Sequence, residues 1–186
     1  MKKECEFSLG TVILSALILG AAASLSHIAY QLSGDSALVG LFNPVNESVW
    51  EHLKFMFFPN LLWWIIVYFA RRKKCEIDLR RWIVAAAVCL VAAPLLVILL
   101  FYGYTGALGE EWAAVDILLA FVCYFLAFLL ARHVYRHADP GKAATVLAVA
   151  VVAVIFTAFI VFTYNPPELP IFQDASATPL CDQCKE

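Results

Sequence analysis

The sequence predicts an all-α integral membrane protein, a bundle of five transmembrane helices. Of its 186 residues, 63% are hydrophobic and only 15% are charged, and the mean hydropathy is +0.81. Soluble domains are usually about half apolar and about a quarter charged. The apolar residues also form long blocks, and crossing a bilayer core of about 30 Å takes roughly 20 helical residues. Composition therefore argues against a soluble domain.

Five segments are long enough to span, and we expect helices because lipid cannot hydrogen-bond free backbone groups. Residues 1–164 are predicted to form one five-helix domain, and residues 165–186 an extended tail. The predicted spans cover residues 7–31, a stretch of about 20 residues that ends at residue 70, and residues 82–102, 112–132 and 143–162.

The basic residues indicate the orientation. With five crossings, the segment before the first helix and the loops at residues 71–81 and 132–142 fall on one side. Cytoplasmic loops carry an excess of Lys and Arg. We therefore predict that the N-terminus is cytoplasmic and the C-terminus is outside. The basic residues concerned are Lys2, Lys3, Arg71, Arg72, Lys73, Lys74, Arg80, Arg81, Arg132, Arg136 and Lys142.

The second helix draws ionisable groups to the outer membrane boundary. Its purely apolar part, residues 55–70, is too short to span alone, so Glu51, His52 and Lys54 are expected at that boundary. His27 on the first helix and Asp116 on the fourth reach a similar depth. Ionisable residues within spans are costly and usually mark function.

The start and the middle of this helix also carry signals. Asn43 is predicted as the N-cap with Pro44 at the first helical position, and the helix then places Glu47 and Glu51 on one face. Pro59 is expected to kink the helix one turn deeper.

The segment NPVNESVWEHLK, with His27 before it and PPELPIFQD after the last helix, resembles a family of small bacterial membrane proteins known only as a domain of unknown function. The resemblance covers the whole chain and implies a location in the bacterial cytoplasmic membrane. After Asp174 the ending ASATPLCDQCKE departs from the Gly- and Tyr-containing ending of that family. The characteristic positions that the resemblance implies are Asn43, Pro44, Asn46, Glu47, Ser48, Trp50, Glu51, His52, Lys54 and Asp174.

The acidic and histidine residues suit a divalent metal, Zn, Mn or Fe. His27, Glu47, Glu51 and His52 are the predicted ligands, and Glu47 or Glu51 would act as base with Asp116 in support. No HExxH motif is present. The alternative is a buried network of hydrogen bonds and ion pairs, such as Glu51 with Lys54. For Asp116, pairing with Lys54 is a further alternative.

The tail and the cysteines carry weaker signals. Ile171 and Phe172 are expected to pack the tail over the outer mouth and to bring Asp174 to the site. Cys181 and Cys184 form a C-x-x-C pair outside, either a redox dithiol, half of a metal site, a small disulfide or an incidental pair. Cys5 and Cys75 are expected to be cytoplasmic and reduced.

The leading hypothesis is a metal-assisted membrane hydrolase that acts on a lipid-like or small-molecule ligand at the outer leaflet. The alternatives are a small cation- or proton-coupled transporter or channel, and a membrane binding or assembly partner. Nucleic acid is not expected, because the basic loops are explained by topology and by anionic lipid. The sequence is compatible with a homo-oligomer.

Overall fold

The computed structural model describes residues 7–26 and 29–174 and folds them into helices. Five are long and apolar enough to cross a membrane. Two short described helical segments, of four residues each, lie between Ser26 and the second long helix, and a 3-10 turn follows the last. The α-helices are α1 (Leu9–Ser26), α2 (Ala29–Leu32), α3 (Ala37–Gly40), α4 (Val49–Arg71), α5 (Leu79–Leu108), α6 (Ala113–His137) and α7 (Lys142–Tyr164), and the 3-10 turn is Pro170–Phe172.

The number of long helices agrees with the prediction. The described part of the first predicted span is helical over Leu9–Ser26 and Ala29–Leu32. The third span is longer than predicted, because α5 has 30 residues. Asp78 caps its start by accepting from the amides of Arg80 and Arg81, and Gly109 ends it with a φ of 71°. A left-handed glycine is a common helix stop.

The start of α4 corrects the prediction that this helix begins at Pro44 with Asn43 as its cap. The helix begins at Val49, and the cap is Ser48, whose hydroxyl accepts from the amide of Glu51 at 3.3 Å. Asn46 Oδ1 accepts from the amide of Ser48 at 3.0 Å, which holds the preceding turn in a non-helical shape. Glu47 therefore precedes the helix and shares no helical face with Glu51.

Pro59 lies inside α4, and the helix continues through it. Proline has no amide hydrogen, so the carbonyl four residues earlier, that of Phe55, loses its helical partner. The hydroxyl of Tyr124 in α6 donates to that carbonyl oxygen at 2.6 Å. The kink that we predicted at Pro59 stays a prediction.

In the packing, α5 contacts α4, α6 and α7, and α6 also contacts α1. An aromatic cluster fills the core towards one end of the bundle. Phe7 stacks on Trp64 with a centroid distance of 5.6 Å, and Trp64 stacks on Phe128 at 5.8 Å. Trp82 and Tyr135 close the cluster edge-on. This half of the bundle is held by packing.

The basic segments lie together at this end, as predicted. Arg71, the last residue of α4, donates to the Thr11 hydroxyl at 2.9 Å, and Arg132 near the end of α6 donates to the Phe7 carbonyl at 3.0 Å. Arg81 at the start of α5 lies 3.9 Å from Asp139 in the loop before α7. We call this the basic end: the start of α1 with residues 71–81 and 132–142.

The opposite end, formed by residues 29–54, 103–116 and 164–174, is the acidic end. Lys54 is the only Lys or Arg within these three segments. The charge asymmetry that the sequence predicts is therefore an asymmetry between the two ends of the folded bundle.

One expectation at the basic end is wrong. Cys75 is disulfide-bonded, whereas we expected a reduced thiol. A disulfide requires two Cα atoms to approach within about 7 Å, and the sequence does not give that distance. Cys5 lies outside the described residues.

Candidate functional site at the acidic end

A buried ion pair lies at the start of α4. Lys54 is 0% exposed and Glu51 is 3% exposed, and the Lys54 ammonium donates to Glu51 Oε2 at 2.5 Å. The same ammonium donates to the carbonyl oxygens of Gly40 at 2.8 Å and Asn43 at 3.4 Å. An ammonium group has three hydrogens to donate, so all three have an acceptor here. The buried ammonium is therefore both paired with a carboxylate and fully hydrogen-bonded.

The carboxylate of Glu51 also holds the loop before α4. Its Oε2 accepts from the amide of Val45 at 3.0 Å. We call Gly40, Asn43, Val45, Glu51 and Lys54 the Lys54 clamp. It ties the end of α3 and the loop that follows to the first turn and a half of α4, across positions that are 14 residues apart in the chain. Buried charges are tolerated when they are paired and hydrogen-bonded in this way.

Gly40 permits the close packing that the clamp needs. A Cβ atom at this position would lie 2.6 Å from Val45 Cγ1 and 3.0 Å from the Tyr30 ring. At distances this short, the Val45 side chain or the Tyr30 ring would have to move to make room for a Cβ atom. The Asn43 amide group donates to the Val39 carbonyl at 3.2 Å, so the side chain predicted to cap α4 satisfies a carbonyl of α3 instead.

Glu51 is thus engaged in the ion pair with Lys54 that we weighed as the alternative to a metal ligand. One oxygen of this carboxylate, Oε2, accepts from both an ammonium and an amide. This arrangement suits a structural role for Glu51.

Glu47 and His52 form a second, more exposed pair. Glu47 Oε2 lies 3.4 Å from His52 Nε2, and the two side chains are 47% and 31% exposed. His52 Nδ1 lies 2.9 Å from the carbonyl oxygen of Ser48. A carbonyl oxygen only accepts hydrogen bonds, so Nδ1 carries the hydrogen. In a neutral imidazole Nε2 then presents its lone pair towards Glu47.

This geometry has a chemical consequence. If Nε2 is protonated it donates to the Glu47 carboxylate, and if it is not, a water molecule or a metal ion can lie between the two acceptor atoms. Two ligands about 2.1 Å from a tetrahedral metal ion are about 3.4 Å apart, which matches the observed separation. A backbone carbonyl on the other ring nitrogen is the usual orienting partner of a metal-binding histidine.

Asp116 is held by Tyr104 of α5. The Tyr104 hydroxyl donates to Asp116 Oδ1 at 2.6 Å and accepts from the amide of Trp112 at 3.3 Å. The contacts of Asp116 therefore join the end of α5 to the start of α6, while Lys54 takes its partners from the clamp. The pairing of Asp116 with Lys54, one of the alternatives that we considered, is therefore not what the structure shows.

The tail reaches the same end. Phe172 packs on Trp50 with a ring distance of 4.8 Å, and Phe159 of α7 packs on the same indole at 4.9 Å. The indole nitrogen of Trp50 is buried and has no hydrogen-bond partner among the described residues. Asp174 is the last described residue of this tail.

Three predicted site residues lie outside the described residues: His27, Cys181 and Cys184. Within the part of the chain that the structure describes, no group of three His, Cys, Asp or Glu side chains is placed to hold a metal ion. Of the ligands that we predicted, the described residues bring Glu47 and His52 within 3.4 Å of each other.

Sequence reasoning missed Gly40, Val45 and Tyr104. Gly40 and Val45 join the clamp through a backbone carbonyl and a backbone amide, and every residue type except proline carries both groups. A signal existed for Tyr104, since a tyrosine and an aspartate flank the short 109–112 connection between two helices. Antiparallel helices joined by a short connection place such residues side by side.

We compared the chain with known proteins. A model described as "Family of unknown function (DUF6512)" matches residues 2–179. No curated protein and no solved structure matches the chain. The match agrees with the expectation of a family without an assigned activity. The chain belongs to this family of unknown function, DUF6512.

Proposed function

We propose that the chain is a multi-pass protein of the bacterial cytoplasmic membrane, with its basic end in the cytoplasm and its acidic end outside. The five long apolar helices and the collection of the basic segments at one end support this. The outer end then carries the Glu47–His52 pair, the Lys54 clamp and the tail.

One observation opposes this orientation. Cys75 lies at the basic end and is disulfide-bonded, and disulfides are rare in the cytoplasm. The charge distribution has the greater weight, because the basic residues of two loops agree in direction. Single cysteines introduced at exposed positions decide between the two membrane orientations. With an impermeant maleimide on intact cells, Glu111→Cys labels and Arg136→Cys labels only after lysis; the reverse pattern would invert the topology.

The outer site is a metal-assisted hydrolytic site in this proposal. The observation that carries it is the Glu47–His52 pair, in which a carboxylate oxygen lies 3.4 Å from an imidazole nitrogen and the imidazole is oriented by the Ser48 carbonyl. A divalent metal between them, with His27 as the third ligand predicted from sequence, would lower the pKa of a bound water to about 7. Asp116, which Tyr104 holds at the same end of the bundle, keeps its predicted supporting role in this proposal.

The substrate class is lipid-like. Leu32, Leu38 and Phe42 are exposed large apolar side chains on the segment that leads into the site. Exposed apolar groups next to polar ones at a membrane boundary suit a ligand with both characters. The clamp contributes by fixing the loop that carries Glu47, and so the geometry of the pair.

Metal content tests this directly. In the purified protein loaded with Zn, Mn or Fe, elemental analysis should give about one metal ion per chain, and the metal should raise the melting temperature. Glu47→Gln and His52→Ala should each abolish both effects, whereas Glu110→Gln, an exposed acid at the same end, should leave them unchanged. Equal metal content in all four proteins would refute the metal site.

The alternative functions make different predictions. Asn60, deep in α4, is fully buried and bonded to Cys89, so it offers no polar path through the bundle. This favours a dead-end outer site over a transporter. Metal-dependent uptake into proteoliposomes that is lost in Glu47→Gln would nevertheless establish transport. Metal binding without either uptake or release of products from added lipid would establish a binding or assembly partner.

A further inference from the structure

The four helices α1, α4, α5 and α6 pack closely, but α7 leaves a lateral opening. At the acidic end α7 lies against α4, with Phe159 and Phe156 on Phe58 at ring distances of 5.6 Å each. Nearer the basic end the two helices are separated by a cavity of about 250 Å³. We call this cavity the α4–α7 groove. Its walls include Ile65 and Phe69 of α4 and Val149 and Val152 of α7, and its floor includes Ala86 and Ala87 of α5.

The groove is apolar, and it ends at positive charge. The Arg72 guanidinium lies over the ring of Phe69, a groove residue, with its Cζ 4.6 Å from the ring centroid. A second cavity of about 380 Å³ meets the groove at Tyr68 and is lined by Arg72 and Glu76. Lys73, Lys74, Arg80 and Lys142 are exposed around this end of the groove.

From this arrangement we infer that the α4–α7 groove binds one anionic phospholipid, with an acyl chain between α4 and α7 and the phosphate beside Arg72. An apolar channel that opens onto a cluster of cations matches the two chemical halves of such a lipid. Basic pockets beside helices on the cytoplasmic side bind acidic head groups. A neutral lipid would fill the groove equally well but would gain nothing from the cations.

The inference rests on the membrane location that we propose and is independent of the metal site. If the protein were recovered without detergent, the membrane location itself would fail. If it required detergent and bound no lipid, only the present inference would fail.

The test is native mass spectrometry of the full chain in detergent with equal amounts of phosphatidylglycerol and phosphatidylcholine of the same acyl chains. We expect one phosphatidylglycerol per chain, bound about fivefold more tightly than phosphatidylcholine. Arg72→Gln should remove this preference, and Arg136→Gln, at an exposed cation in the last turn of α6, should keep it. Equal retention of the two lipids would overturn the inference.

Substitutions in α7 test whether the lipid binds in the α4–α7 groove. Val149 and Val154 are both exposed on this helix, but only Val149 lines the groove. Val149→Trp should fill the groove and reduce lipid binding about tenfold, and Val154→Trp should not. A dimer that forms without lipid and is lost in Val149→Trp would show that a second copy occupies the groove, which would overturn the lipid assignment.

A second measurement needs no variant, so it tests the inference even if the substituted proteins fold poorly. Trp64 and Trp82 line the groove, so phosphatidylglycerol with brominated acyl chains, added at one lipid per chain in detergent, should quench the fluorescence of the unchanged protein. Unlabelled phosphatidylglycerol should reverse the quenching and phosphatidylcholine should not. Reversal by both lipids to the same extent would exclude selective binding.

Discussion

The hydroxyl of Tyr124 in α6 donates to the backbone carbonyl of Phe55 in α4 at 2.6 Å. This carbonyl is the one that Pro59 leaves without a helical partner. Tyr124 is fully buried, so its hydroxyl has no water to bond instead. A proline inside an apolar helix is thus matched by a donor from a helix that follows it in the chain.

Removal of the Tyr124 hydroxyl should therefore cost more stability while Pro59 is present. We expect Tyr124→Phe to lower the free energy of unfolding by about 1 kcal/mol. In a Pro59→Ala background the amide of residue 59 bonds the Phe55 carbonyl, and the same change should have a smaller effect. Reversible unfolding in mixed micelles gives the free energy of unfolding of the unchanged protein, the two single variants and the double variant. Tyr102→Phe, at an exposed tyrosine of α5, is the control, and equal losses in both backgrounds would contradict the pairing.

The Lys54 clamp should be among the most sensitive features of the fold. Lys54→Met leaves the Glu51 carboxylate buried without its cation, so we expect a loss of about 3 kcal/mol or more. The double change Lys54→Met with Glu51→Leu removes both charges and should recover part of that loss. Lys74→Met, at an exposed lysine, should be neutral. A double variant as unstable as the sum of its two single changes would show that the two side chains do not act as a pair.

The approach of α1 to α6 should depend on Gly20. A Cβ atom there would lie 2.4 Å from the Phe121 ring, whereas at Gly10 of the same helix the nearest atom would be 3.7 Å away. We expect Gly20→Ala to destabilise the protein by about 1 to 3 kcal/mol. Gly10→Ala should be neutral or stabilising, because alanine favours the helix. The stabilities of both glycine variants are measured by the same reversible unfolding in mixed micelles. Partial rescue of Gly20→Ala by Phe121→Leu would identify the Phe121 ring as the group that the added methyl meets.

The docking of the tail should depend on Phe172. Its ring contacts Trp50 at 4.8 Å and Phe162 at 5.5 Å. The amides of Phe172 and Gln173 donate to the carbonyls of Leu169 and Pro170. Phe172→Ala should speed hydrogen exchange at residues 168–174, since the turn loses its packing. Leu169→Ala, at an exposed position, should leave the exchange rates unchanged, and unchanged rates in both variants would mean that the turn is held by its own hydrogen bonds.

The sequence predicted the five long helices correctly, because a span requires about 20 consecutive apolar residues and that requirement is local. It also predicted that the basic segments would share one end, since each crossing takes the chain from one end of the bundle to the other. The helix ends were less well predicted. The cap of α4 depended on competition between Asn43 and Ser48, and the Asn46 turn decided it in favour of Ser48.

The candidate site divides in the same way. The types and spacing of residues in NPVNESVWEHLK by themselves identified where polar groups would gather. Only the tertiary structure decided their partners, because an ion pair or a hydrogen bond depends on the position of atoms that are distant in the chain. Lys54 reaches back 14 residues to the Gly40 carbonyl. That contact makes Glu51 part of a clamp, and leaves Glu47 with His52 as the pair that faces solvent.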